Sequence, residues 1–531
     1  MSNRSSDILF QLIRSLEKAE KRHFKLYIKR SSSNENLKII KLFDALDKMK
    51  EYDESLLKKD PNFSKQLSNL KAHLYKQLLS SLRLLKSTDS LDIQLNEQYD
   101  FAHILYKKGL FNQSLRIIEK AKEVARAYQK YGFLPQLITL EKKIESLHIT
   151  RSIQNKADLL SEEAIVVSTH IDMVARLSNL ALQLYGWYIR NGHARNEDDE
   201  QGVKQFLKEN LPPNAWEQKG FYEQLYLYQS YSWYGFIRQN FLQYYKYSQK
   251  WVNLYHDDPL MKRVETGHYI KGLHNLLNAH FDLRNDPRFD ETLREFEAFA
   301  ATERVQDNEN FRIQAFVYLS QAKINRHFMR GTFKEGLALI PDLLQKLEEY
   351  SLFIDRHRVL VFNYKIAVLY FGSGDYSKCI DYIQNIIHDQ TDLRYDLQCY
   401  ARVVHLMAHY ELGNYDIMDY LTRSVYRFMA KMQNLTVIEE EMFKFLRQSF
   451  SISRFELKRQ FEAFLAQVKE HEGSRFETRS FAYLDVISWI ESKVNNKSMA
   501  EIIGDKYRER LARRNKSLIT VGSPVLKLKA S

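Results

Sequence analysis

Along most of the chain, apolar residues recur at helical spacing and are interrupted by one kind of turn. In LVFNYKIAVLYF (360–371), Phe362, Ile366, Leu369 and Tyr370 fall on one helical face. In YSKCIDYIQNII (376–387), Cys379, Ile380, Ile383, Ile386 and Ile387 do the same. Between them stands Gly372-Ser373-Gly374-Asp375, where Gly374 can end one helix and Asp375 can cap the next. The pattern predicts two antiparallel helices joined by a tight turn.

The same turn recurs. Gly109-Leu110-Phe111, Gln239-Asn240-Phe241, Gly331-Thr332-Phe333 and Gly413-Asn414-Tyr415 repeat a Gly or polar residue followed two positions later by an aromatic, with Pro287-Arg288-Phe289 as a weaker case. The aromatics at 241, 289, 333, 376 and 415 are separated by 48, 44, 43 and 39 residues. The interval from 111 to 241 is 130 residues, close to three further steps. Such a period predicts stacked helical hairpins, each too small to bury its own apolar face. The aromatic is expected to pack into the angle between its two helices.

These hairpins resemble tetratricopeptide repeats. Ala367, Tyr370, Gly374-Asp375-Tyr376, Cys379 and Ile386 occupy the family's pattern positions, as do Ala102, Leu105, Gly109, Phe111, Ser114 and Ala121, and Gly331, Phe333 and Gly336 match at the turn. The resemblance spans about 90–450 and implies an all-α fold, a right-handed α-solenoid with an N-terminal helical cap. Three features depart from the family. The period exceeds 34, Tyr244 occupies a position that should be small, and 191–200 (NGHARNEDDE) reads as a polar, acidic insertion. The family's carboxylate clamp is not assembled, since Asn325 holds one of its positions but Gln321 stands where a Lys or Arg is needed.

Composition agrees with helices. Of 531 residues only 17 are Gly and 8 Pro, and 44% are apolar, enough for a continuous core. The charge of +12 sits at the ends: 1–86 carry 19 Lys and Arg against 10 Asp and Glu, and 501–531 carry 8 against 3. The expected organisation is a basic N-terminal helical cap (1–86, with helices near 6–30, 36–50 and 63–86), a solenoid (87–500), and a basic C-terminal helix with a flexible tail (501–531). No apolar stretch is long enough for membrane insertion, the N-terminus lacks the apolar core of a signal peptide, and two cysteines make no disulfide framework. A cytoplasmic protein is the expectation.

Candidate chemistry is sparse. FGSGD lacks the remaining residues of a phosphate loop and follows a helix instead of a strand. Ser15-Leu16-Glu17-Lys18 matches SxxK without companion motifs, and His405 and His409 share a helix face without a third ligand, Glu411 pointing away. No catalytic, cofactor or metal residues are assigned, and a non-enzymatic role is expected.

Residues 221–255 hold 14 aromatics in 35 positions, suited either to a thick core or to a binding face. On the hairpin pattern Tyr226, Trp233 and Phe236 face a concave groove and Tyr231 packs inside. The expected function is a protein–protein interaction scaffold or adaptor that binds a peptide or protein segment in this aromatic groove. The alternative is a nucleic-acid-binding regulator, in which the basic N-terminal region 1–86 contacts nucleic acid through Lys65, Lys71 and Lys76 and the repeats sense a protein or peptide.

Overall fold

The computed structural model describes residues 7–30, 34–64, 66–86, 90–148, 155–389, 395–432, 435–449, 454–471, 473–477 and 484–521. Among these the chain is all-helical, with no strand, and consecutive helices pack on one another, an arrangement compatible with a helical repeat. The contacts divide it into two compact units, 1–168 and 169–531.

In the first unit, α1 (Ile8–Ser15), α2 (Lys18–Lys29), α3 (Asn34–Lys48) and α5 (Leu67–Leu85) enclose a core that includes Phe24, Leu42, Phe43 and Leu74, with the short α4 (Glu54–Lys59) before α5. The single helix expected over 6–30 is two. Glu17 starts α2 with a capping box closed by Glu20, and Leu16 is extended, so the helix cannot run through. Next, α6 (Leu91–Lys107) and α7 (Phe111–Ala127) form a hairpin against which α8 (Leu134–His148) packs. Buried Lys122 is held by Glu141 at 2.8 Å and Glu163 at 2.6 Å, Glu163 lying in α9 (Lys156–Asn191).

The period expected between 111 and 241 does not continue. The 36 residues of α9 run without a turn, and α10 (Glu197–Asn210) follows it. The acidic run read as part of a polar insertion is the first turn of α10, capped by Asn196, where carboxylates favour the positive helix end.

From there the second unit runs in pairs: α11 (Phe221–Ile237) with α12 (Phe241–Asp257), then, after the short α13 (Met261–Val264), α14 (Thr266–Asp282) with α15 (Asp286–Ala300). After α16 (Glu303–Gln306) come α17 (Glu309–Arg330) with α18 (Phe333–Gly336) and α19 (Ile340–Glu349). Then follow α20 (Arg356–Ser373) with α21 (Tyr376–Ile387), and α22 (Tyr395–Glu411) with α23 (Tyr415–Lys431). The chain ends in α24 (Val437–Gln448), α25 (Arg454–Glu470), α26 (Val486–Asn495) and α27 (Met499–Val521).

The turns are chemically one motif. At Gly109, Gln239, Arg284, Gly331, Gly374 and Gly413 the backbone is left-handed. The next residue's N–H reaches back to a carbonyl five residues earlier, as from Asp375 to Tyr370 at 3.0 Å and from Asn285 to His280 at 2.9 Å. Asp375 then caps α21 through Lys378 N–H. The expected aromatic contact is met by a second aromatic five residues upstream: Tyr106–Phe111, Phe328–Phe333, Phe371–Tyr376 and Tyr410–Tyr415 have ring centroids 5.8, 6.1, 5.2 and 6.1 Å apart. Phe289 differs, because α15 starts at Asp286 and its aromatic lies inside the helix. At Tyr244, too large for its pattern position, the two helices still approach closely, since Gly235 opposite has no Cβ to meet the Tyr244 backbone nitrogen, which would lie 2.8 Å away. The ring itself is fully buried and bonded to Asn275.

The basic C-terminal helix docks on these turns. Arg510 donates to the Met329 carbonyl at 3.2 Å, and Arg514 to Asn285 Oδ1 at 3.1 Å. The tail expected to be flexible falls at 522–531, outside the described residues.

Candidate functional site

A cavity of about 540 Å³ opens in the second unit. It is lined mostly by the first helix of each pair, α11, α14, α17, α20 and α22, together with the C-terminal part of α9. Of the second helices only α12 contributes, through Phe241 and Tyr244. The volume suits a small ligand or a few residues of peptide.

One wall is aromatic. Trp233 and Phe236, both predicted as binding residues, line it with Tyr185 and Tyr188. The Trp233 ring lies 4.9 Å from Tyr185 and 5.6 Å from Tyr188, stacked on the latter. Phe236 packs on Tyr244 and His193, with centroids 4.8 and 4.7 Å apart. Tyr226 is not brought there. It stacks on Tyr222, meets His268 edge-on, and packs near Leu177 and Leu227. Tyr231 is half-buried between Trp216 and Tyr247.

Elsewhere amides and cations stand among further aromatic and aliphatic lining residues such as Phe281, Tyr318, Phe328 and Val361. Gln314, Gln321 and Asn325 come from α17, Lys271, His274, Asn275, Asn278 and Asp282 from α14, and Arg358 and Lys365 from α20. Lys365 Nζ donates to Asn325 Oδ1 at 2.6 Å. Tyr244 donates to Asn275 Oδ1 at 3.0 Å, and His274 stacks on Tyr318 at 3.9 Å. Both lysines keep some accessible surface, yet the protein around them strips most of their hydration. Burial lowers Lys365 to about 8, against a small opposing pull from Asp282. Lys271 is lowered by burial and by Arg358. Burial and the three cations drive His274 down to about 3, so it is neutral. Burial raises Asp282 to about 7.

The cationic members were not foreseen, because Lys271 and Lys365 read as ordinary polar positions on amphipathic helices. That they line one cavity from two different helices leaves no local signal. The aromatic at each turn's upstream side, by contrast, was available as a five-residue spacing.

Among the nucleic-acid candidates, Lys71 is largely buried, bonded to Asp7 and, at 2.7 Å, to the Tyr52 hydroxyl. Lys76 is exposed, and Lys65 lies outside the described residues. Ser15 donates to the Leu12 carbonyl at the end of α1. His405 and His409 face each other at 3.3 Å, and Glu411 turns to Trp489 and Lys493. Among the described residues no three His, Cys, Asp or Glu side chains gather as metal ligands, and no helix is long and apolar enough to cross a membrane. Cys379 and Cys399 are buried and unbridged. No family model and no curated protein matches the chain.

Proposed function

We propose that the protein is a non-enzymatic adaptor that binds a peptide or protein segment in the cavity of its second unit. The observation that carries this reading is the convergence of Trp233 and Phe236 with cavity-facing amides on successive first helices. Half-buried rings that line a cavity supply contact area at low entropic cost, and amide side chains match the hydrogen-bonding groups of an extended backbone. The recurring turn motif supports a tetratricopeptide-like architecture, a right-handed solenoid of hairpins whose first helices form the concave face. The two buried thiols suit a reducing, cytoplasmic setting.

The test is selection of a displayed random-peptide library on the full chain, followed by affinity measurement against Trp233→Ala. Selected peptides should lose at least tenfold in affinity to the variant. Selection that yields no peptide sensitive to Trp233, with the variant folded, would overturn the reading.

A further inference from the structure

Several buried or half-buried cations in this protein have carboxylate partners. Lys122 is held between Glu141 and Glu163, Lys493 by Glu411, and Arg238 by Glu200. Lys271 and Lys365 differ from these. Among the described residues neither has a carboxylate within ion-pair distance; each instead lies over an aromatic ring, Tyr185 at 5.2 Å and Phe328 at 5.6 Å. Arg358, the third cation of the lining, meets only Asp355, one turn away at 3.4 Å. Asp282 is the sole carboxylate in the lining, and its Oδ2 has no hydrogen-bond partner among the described residues.

Three cations from α14 and α20 therefore line one cavity, and Arg358 repels Lys271 across it. Removing cations from water without a close counter-charge is costly, and here two lysines line one cavity with no carboxylate within ion-pair distance among the described residues. We infer that the bound segment presents an oxyanion to the cavity, received by Lys271, Lys365 and Arg358, while its apolar part rests against Trp233 and Phe236. The inference rests on the peptide-binding reading and specifies its ligand class. Lysines act as point-charge donors and do not by geometry separate a carboxylate from a phosphate ester.

The experiment uses an array of acetylated, amidated peptides selected on the full chain. Each is synthesised with Glu, Gln, serine or phosphoserine at every position in turn, and with a free or amidated C-terminus. Binding is read for the wild type, Lys271→Met, Lys365→Met and the milder Lys365→Gln, with circular dichroism confirming each fold. The expected result is at least tenfold preference for an anionic group at one position, reduced to about twofold or less in the lysine variants. Glu-selective, phosphoserine-selective and free-terminus-selective patterns identify the source of the oxyanion. Equal binding of charged and neutral versions, with Trp233 dependence retained, overturns the inference and leaves the peptide reading standing. Loss of all Trp233-dependent binding overturns both.

Discussion

Phe333 lies on Gly372. The ring from the start of α18 occupies the space a Cβ on Gly372 of α20 would need, and Phe333 is 2% exposed. Two residues on, Gly374 takes a left-handed backbone at φ +91° with open space around it. The glycines that imitate a phosphate loop thus have two separate structural jobs, one close packing and one turning the chain.

Those jobs predict different responses to alanine. Gly372→Ala should destabilise by about 1–3 kcal/mol through overpacking, and Gly374→Ala by about 1–2 kcal/mol through left-handed strain alone. Urea unfolding of a Gly372→Ala, Phe333→Leu double variant separates them, since the smaller side chain should recover part of the first loss and none of the second.

Trp233 and Trp251 should behave oppositely. Trp251 is fully buried in the α11–α15 core, so its replacement by Ala should cost about 3–5 kcal/mol of stability. Trp233→Ala should leave the unfolding transition within about 1–2 kcal/mol of wild type while weakening selected peptides. Equal destabilisation by the two changes would assign Trp233 to the core.

Lys365→Met should raise stability. An incompletely compensated charge leaves the interior while the aliphatic stem is kept, for a gain of about 1–2 kcal/mol at neutral pH. Thermal unfolding would read this as a higher Tm in the variant that has lost anion preference. A lowered Tm would mean that the Asn325 bond outweighs the desolvation.

Binding of an anionic peptide should weaken as pH rises from 6 to 9. The groups facing Lys365 are Lys271, His274 and Asp282 from α14 and His357 and Arg358 from its own helix. Asp282, raised to about 7, gains its negative charge in this window, and Lys365, lowered to about 8, loses its positive one. Both changes oppose an oxyanion, whereas His274, at about 3, stays neutral throughout. The expected loss is about tenfold, one decade for one charge–charge contact of ~1.4 kcal/mol. Asp282→Asn should remove the part near pH 7, and Lys365→Arg the part near pH 8. For stability the Asp282 sign is the reverse of a salt-bridged acid. Its raised folded value means the folded state holds a proton the unfolded chain has released, so stability falls as pH rises from about 4 to 7.

Helix pairs were legible because their determinants are local. Apolar spacing within one helix, a left-handed residue at its end and a cap on the next act over a few residues, so 360–387 could be read directly. The same locality misled at two places. The 6–30 pattern continues across Leu16-Glu17 although the backbone caps there, and the long interval before 241 invited extra turns where α9 runs straight through. Trp233 and Phe236 were legible as candidates from aromatic density; Tyr226, on the same helix, differs only in which neighbours its ring meets.

By itself the sequence determined an all-helical chain, its recurring Gly- or polar-turn chemistry and an aromatic segment too rich for ordinary packing. Only the tertiary structure decided which rings share a cavity, that Gly372 serves Phe333, and that Lys271 and Lys365 line one cavity with no carboxylate within ion-pair distance among the described residues. Caps and periodicity are fixed by bonds and contacts within a turn or two of helix. The balance of charge in a cavity depends on side chains that come from different helices, and it exists only once those helices have packed.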